Sequence, residues 1–372
     1  MKKLIVFLWI LPAWAFCQKY SKKDEVPANL RIAIYNISGA VSKNCEIDLP
    51  FKNIVVLDAR FDTSKLGFEI SRKFIDVNFK DFKKIKLEGG TQKAIQEFYN
   101  EYYKSCFKDR VNELLIVLKT LWIDNVPNRS FKEGRRTYIV KDSYQDIHTK
   151  VEFYLQNENK YYPLKKIDTV YQLTEQNLPQ FDMKLKVNDL TFFMYAIKDL
   201  IERNNFIELV NNAANRRQLT FNQIDSFNNK RFQLPVLLNT DINKGVFMNF
   251  NEFNNNRPSV TDYKIDEYGI LKIKTDSVDS KNYWAIADGS GLHLWAHSRL
   301  DSWSYMRKPV KSDMVRTGNT FEFFIFDQIV VPTTFSGDLV RFLFIDINPG
   351  NGGKIRSVMI PRQLDMETGE VY

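Results

Sequence analysis

Ile54-Val55-Val56-Leu57-Asp58-Ala59-Arg60-Phe61-Asp62-Thr63-Ser64-Lys65-Leu66-Gly67-Phe68 begins as a strand and then changes character. Ile54 to Leu57 is continuously apolar, the pattern of a strand covered on both faces. Asp58, Arg60 and Asp62 follow at intervals of two, and Gly67 closes the stretch. If the strand continues, these side chains share one face, and Arg60 can pair with either carboxylate in a solvated ion-pair ladder. Two functional readings stand beside that ladder. Arg60 keeps its charge at any ordinary pH and is a candidate receiver for an anionic group. Asp58 and Asp62 as a general acid/base pair is the third reading, and nothing in the sequence raises the pKa of either.

Residues 91–106, T-Q-K-A-I-Q-E-F-Y-N-E-Y-Y-K-S-C, predict a helix. Ala94, Ile95, Phe98, Tyr99, Tyr102, Tyr103 and Cys106 fall on one face at helical spacing. Gly89-Gly90-Thr91 supplies a break and a candidate N-cap. Glu113 to Ile123 then reads as a long buried strand. Strand, crossover helix and strand in this order predict a βαβ unit, with Ile54–Leu57 and Leu114–Leu118 as neighbours in one sheet. Upstream, Leu30 to Ile37 places Leu30, Ile32 and Ile34 on one face of a first strand.

The pattern V-V-L-D-A-R-F-D-T-S-K-L-G, an amphipathic helix and E-L-L-I-V-L-K-T-L resembles exported envelope lipoprotein domains of the YajG type over residues 30–125. That resemblance implies an envelope location and carries no activity.

Further along, Val151, Phe153 and Leu155 alternate with Glu152 and Tyr154, Asn157-Glu158-Asn159 turns the chain, and Tyr161 to Leu164 returns, which predicts a hairpin. Phe181, Met183, Leu185 and Val187 predict another strand. Asn188 or Asp189 caps a helix running to about Arg203, lined by Leu190, Phe193, Met194, Ile197, Leu200 and Ile201. A second helical piece lies around Phe221 to Phe227. From about residue 236 the chain is a series of short β segments. Tyr283–Ala287 and Leu292–Trp295 flank Asp288-Gly289-Ser290-Gly291, a hairpin signal. The run G-V-F-M-N-F-N-E-F-N-N-N-R-P-S, the Y-W-A-I-A-D-G hairpin and the ending L-D-M-E-T-G-E resemble a group of uncharacterised exported bacterial proteins.

The expected fold class is α+β. It comprises a mixed α/β domain over 30–187, a helical connector over 188–234 and an antiparallel β barrel or sandwich over 235–372. Ahead of these, residues 1–17 read as a signal peptide and 18–29 as a tether. Lys2 and Lys3 form a basic start, Leu4 to Leu11 is apolar but too short to span a bilayer, and Ala13-Trp14-Ala15 is a cleavage signal. Ala15-Phe16-Cys17 is a second cleavage possibility, and lipidation of Cys17 a third outcome, with Phe16 standing where a small residue is usual. The expected location is periplasmic, outer-membrane-associated or extracellular. Beyond the leader no run of about 18 apolar residues predicts a membrane helix. Cys45 and Cys106 form an even pair that can bridge in an oxidising compartment, or stay as buried thiols.

The formal charge is +8, spread along the chain in short clusters such as Lys83-Lys84 and Arg135-Arg136. A nucleic-acid binder wants a dense basic face, so nucleic acid is not an expected partner. His293 and His297 are four apart, but on a strand that spacing is about 13 Å, too far for one metal ion. Asn348-Pro349-Gly350-Asn351-Gly352-Gly353-Lys354 fails the phosphate-loop spacing and has Ile355 where a hydroxyl belongs. No catalytic set, metal site or cofactor is expected. The most ligand-like feature is aromatic: Tyr283, Trp284, Trp295, Trp303 and Tyr305 fall within about two dozen residues. Exposed on a β surface they would stack on sugar rings or grip a partner, and buried they would fill the interior of the β domain. The preferred reading is a non-catalytic envelope or secreted protein that binds an envelope protein or glycan. The alternative is a hydrolase of envelope or extracellular polymers using scattered carboxylates.

Overall fold

The computed structural model describes residues 31–37, 47–70, 82–108, 111–124, 129–132, 138–141, 145–173, 189–265, 271–273, 283–289, 291–296, 310–332 and 353–372. The leader, the tether, Cys45, the strand expected over 181–187 and residues 348–352 lie outside them.

The first half supplies β1 (Arg31–Tyr35), β2 (Asn53–Asp58), β3 (Gly67–Ile70), β4 (Phe82–Leu87), α1 (Thr91–Tyr102), β5 (Glu113–Asp124), β6 (Arg129–Lys132), β7 (Tyr138–Lys141), β8 (Gln145–Asn157) and β9 (Lys160–Leu173). The middle is helical: α2 (Asp189–Glu202), α3 (Phe206–Asn211), α4 (Phe221–Arg231) and α5 (Pro235–Leu238). The last part adds β10 (Gly245–Phe247), α6 (Phe250–Asn254), β11 (Tyr263–Ile265), β12 (Leu271–Ile273), β13 (Ala285–Ala287), β14 (Leu292–Ala296), β15 (Val310–Thr317), β16 (Thr320–Pro332) and β17 (Gly353–Gln363). The class is α+β and rich in strands.

The first sheet runs β1-β4-β3-β5-β8-β9, with β2 also on β5. β2 lies parallel to β5, Ile54 facing Leu114 and Leu57 facing Val117, as the βαβ reading expects. β3 occupies the same edge of β5 further along, pairing Gly67 with Ile123. Between them the edge of β5 is interrupted at Lys119 to Leu121, and β5 bulges against β8 between Leu118 and Thr120. The chain from Ala59 to Leu66 leaves the sheet here and returns. Expectation and structure differ at this point, because the strand ends at Asp58 and Arg60 and Asp62 are not on a continuing ladder.

The free edge of β2 is closed by side chains of α1. The backbone N–H groups of Ile54, Val56 and Asp58 donate to the amide oxygens of Asn100, Gln96 and Gln92, at 2.8, 3.0 and 3.2 Å. Asn100 also donates to the Ile54 carbonyl, at 2.9 Å. The match is geometric: four helical residues rise about 6 Å, and two strand residues advance about 6.6 Å. The helix starts from Gly90, not from a side-chain cap at Thr91.

The front face of the sheet carries the main core. Ile95, Phe98, Tyr99 and Tyr103 of the α1 segment meet Leu114, Ile116 and Leu118 of β5 and Phe193, Ile197 and Ile201 of α2. The helical connector is therefore part of the first sheet's packing, with α2 covering its front face. On the back face Leu115, Val117 and Tyr154 pack on Leu219 and Ile224, the latter from α4. Thr220 caps α4 in a reciprocal box with Gln223. Ile32 and Ile34 of β1, read from sequence as a shared apolar face, are exposed.

The second sheet runs β10-β13-β14-β15-β16-β17 and is antiparallel throughout. It is not a closed barrel. β10 pairs outward with Val260 through Val246, and after β17 the chain folds back, Leu364 against Val371, so the two outer strands do not meet. Asn249 caps α6 where the sequence suggested continuing β structure.

Two outcomes test this construction. Gln96→Ala removes the central rung of the edge closure and should cost about 1 kcal/mol in urea unfolding. Gly67→Ala should cost more, because a Cβ there would lie 2.0 Å from the Ile123 carbonyl oxygen at a φ of 150°. A loss below about 1 kcal/mol for Gly67→Ala would contradict the close approach of β3 and β5.

Candidate functional site, a charged seam between the two sheets

The interruption in β5 leaves backbone carbonyls on its edge, and guanidinium groups take them. Arg60 donates to the carbonyls of Leu121 at 3.3 Å and Lys65 at 2.8 Å. Its remaining donors reach both carboxylate oxygens of Asp58, at 2.8 and 2.7 Å, and the Thr91 hydroxyl at 3.0 Å. All five N–H bonds of a guanidinium are thus engaged within the chain. Arg231, at the end of α4, donates to the carbonyls of Ala59 at 2.8 Å and Lys119 at 3.4 Å. It also pairs with Glu367 and lies 4.7 Å over the Phe61 ring.

Lys65 is the centre of the seam. Its side chain is fully buried, and its ammonium pairs with Asp62 of the same loop and with Glu322 of β16. Lys84 of β4 adds a second cation to Glu322, at 3.7 Å. Burial alone would raise the Asp62 carboxyl, but the Lys65 charge and hydrogen bonds from Lys65 and Ser64 outweigh it, and the pKa is lowered.

Two further pairs tie the second sheet to the back face of the first. Arg362 of β17 pairs with Asp124 at the end of β5. Glu367 takes Lys150 of β8 as well as Arg231. Burial works against the Glu367 carboxylate, the two cations win, and its pKa is lowered. Next to them, Glu152 accepts from Lys119 and Lys166, at 2.8 and 2.9 Å, and from the Tyr154 hydroxyl at 2.7 Å. Against the cost of burial these partners bring its pKa down to about 2.

Tyr372 packs on His148, ring centres 4.5 Å apart, and against Trp122. Its hydroxyl donates to Asp365, whose other oxygen holds the turn by accepting from the N–H groups of Glu367 and Thr368. Burial and the nearby Asp365 push the Tyr372 phenol up. Burial pushes the His148 imidazole down, more than Asp124 raises it. A cavity of about 30 Å³ lies among Arg60, Asp62, Thr120, Gln363, Asp365 and Tyr372. It has room for a water molecule or two. The buried side-chain oxygen of Gln363 lines it without a protein partner.

Of the aromatic residues singled out from sequence, Tyr283 and Trp284 are not gathered with this seam. Tyr283 is buried with Val246 and Ile286. Trp284 points to the other core of the second sheet, its ring 4.7 Å from Phe253 and 5.3 Å from Phe250. Trp295 sits in β14 opposite Lys311. Its side chain, with Trp303, Tyr305 and His297, lies outside the description. His293 is buried and 3.0 Å from Asp288. Cys106 is disulfide-bonded, to a partner outside the described residues. Sequence reasoning found Asp58, Arg60 and Asp62 but not Lys65, Arg231, Glu322, Arg362 or Glu367. Their partners lie up to 257 positions away, so no local pattern marks them.

No family model, curated protein or solved structure matches the chain. Among the described residues no helix is long and apolar enough to cross a membrane, and no group of three metal-ligating side chains occurs.

The seam fixes the sign of the acid response. Asp62, Glu152 and Glu367 are lowered in the fold, so their stabilisation is present above the unfolded carboxylate range and is lost as pH falls through the folded values. His148, also lowered, loses its share first, starting below its ordinary 6.5. Urea midpoints should therefore begin to fall below about pH 6.5 and fall faster below about pH 4.5. A flat profile between pH 7 and pH 3 would contradict the pairing. Lys65→Met leaves Asp62 and Glu322 without their shared cation and should cost about 3–5 kcal/mol at pH 7, less at pH 3.

Proposed function

We propose that this chain is an exported, envelope-associated or secreted protein that acts by binding and assembly, with no covalent chemistry of its own. The observation that carries this reading is the state of the seam. Acids and bases converge there, yet each is spent on another: Arg60 on Asp58 and three oxygens, Lys65 on Asp62 and Glu322, Arg231 on Glu367. A catalytic site needs a general acid or base poised near the working pH and room for a substrate. Carboxylates held low and a cavity of about 30 Å³ suit a joint between two sheets better. Export is supported by the disulfide at Cys106, since such bonds persist in oxidising compartments. Cys45 is the partner we propose. The likeness to envelope lipoprotein domains points the same way. The partner class is an envelope protein or glycan, met by the second sheet.

Two measurements test the reading. Mass spectrometry of unreduced protein from cell fractions should find the Cys45–Cys106 peptide pair outside the cytosol, and its recovery as free thiols in the cytosolic fraction would overturn export. Purified protein incubated with envelope polysaccharide should release no new reducing ends. Release that disappears in Asp365→Asn would instead establish the hydrolase.

A further inference from the structure

Some sheet edges of this protein are closed by identifiable devices, and along β9 a stretch has none among the described residues. The edge of β2 carries the amide side chains of α1, and β10 is bridged to Val260. Among the described residues β9, one of the two outer strands of the first sheet, is closed only over its beginning. Tyr161 exchanges hydrogen bonds with Leu219, at 2.9 and 2.8 Å, and Arg216 takes the carbonyls of Pro163 and Leu164. The backbone groups of Tyr161 therefore point away from β8. The pairing with β8 shifts between Phe153 and Tyr154, leaving Leu164 as an extra residue in β9. That residue moves the alternation by one, so Lys166, Asp168 and Val170 turn their N–H and C=O outward. Among the described residues no hydrogen bond reaches those outward groups. The side chains of Lys166 and Asp168 stand on the back face, each 76 % exposed.

We propose that this open edge pairs antiparallel with the same edge of a second copy of the chain, about a two-fold axis at Ile167. The register follows from charge. An axis at Ile167 sets Lys166 opposite Asp168 of the second copy, and Asp168 opposite its Lys166. The same register makes Lys166 and Asp168 a hydrogen-bonded pair, as their outward backbone groups require. An axis at Asp168 would set acid against acid, and one at Lys166 base against base. An axis at Thr169 would leave Asp168 against Val170. A lysine on an edge strand ordinarily deters pairing. A lysine and an aspartate two apart deter most strands but match their own reversed copy. Pro163, Leu164 and Arg216 confine the contact to the residues that follow. This inference does not depend on the binding role proposed above.

Sedimentation velocity of the whole chain over a range of concentrations tests it. At low salt the chain should be dimeric at high concentration and dissociate on dilution, with the dimer weakened by salt. Lys166→Asp and Asp168→Lys should each weaken dimerisation at least tenfold, and the double exchange Lys166→Asp/Asp168→Lys should restore it. Ile167→Cys should give a covalent dimer under mild oxidation, because facing residues of a non-hydrogen-bonded pair lie about 4.5 Å apart, within disulfide reach. A chain that stays monomeric throughout would overturn the proposal. So would a dimer indifferent to both single exchanges, or folded single variants whose defect the double exchange does not repair.

Discussion

A buried ammonium lies at the centre of the joint between the two halves of this chain. Lys65 has no exposed side-chain surface, and it meets one carboxylate from its own loop and one from a strand more than 250 positions away. Desolvating a lysine is costly, and its attraction to two acids repays that cost only when the geometry is held. The loop that presents Lys65 is held at both ends. Asp58 fixes Arg60, Arg60 fixes the carbonyls of Lys65 and Leu121, and Leu66 returns to the sheet by bonding Ile85 and Ile123. The rigidity of the loop is what lets one ammonium serve both sheets.

That loop exists because two strands share one edge. β2 and β3 both lie parallel to β5, end to end, and neither covers Lys119 to Leu121. An interrupted edge in a buried region must find other donors for its carbonyls. Here guanidinium groups supply them. Arginine suits the task because its fork can hold a carboxylate with one side and carbonyls with the other. The same logic governs β2, where Gln92, Gln96 and Asn100 supply side-chain acceptors in place of a neighbouring strand. In both places the fold replaces backbone pairing with side chains of matching reach.

The βαβ unit, the α1 and α2 faces and the 157–159 turn were legible from periodicity, because their partners are near in sequence or their pattern is long. What was not legible is instructive. Asp58, Arg60 and Asp62 look like a ladder at two-residue spacing, but the strand ends at Asp58, and Arg60 turns back to it. Nothing before Gly67 in the local sequence announces that a second strand takes over the edge. Lys65 reads as a loop lysine, and only Glu322, far along the chain, makes it a buried one. The open second sheet was equally hidden. Strand spacing is the same for a barrel and an open sheet, and the difference lies in whether the outermost strands meet. The aromatic cluster divided for a simple reason: Tyr283 and Trp284 are adjacent, so an extended chain sends them to opposite faces.

A charged seam does a different job from an apolar one. The front face of the first sheet is sealed by aliphatic and aromatic side chains that would tolerate small slips between elements. The back face offers Glu152, Lys150, His148 and Asp124 in sequence along β8 and β5, and β17 with the chain that follows it answers with Arg362, Glu367 and Tyr372. A shift of one residue in either strand would turn these groups away from one another and leave charges buried without partners. The pairs therefore fix the register of one sheet on the other more firmly than they add to its stability, since a buried ion pair contributes little over a well-packed apolar one. Such a joint holds one sheet on the other in a single register, which an apolar contact of the same area would not enforce.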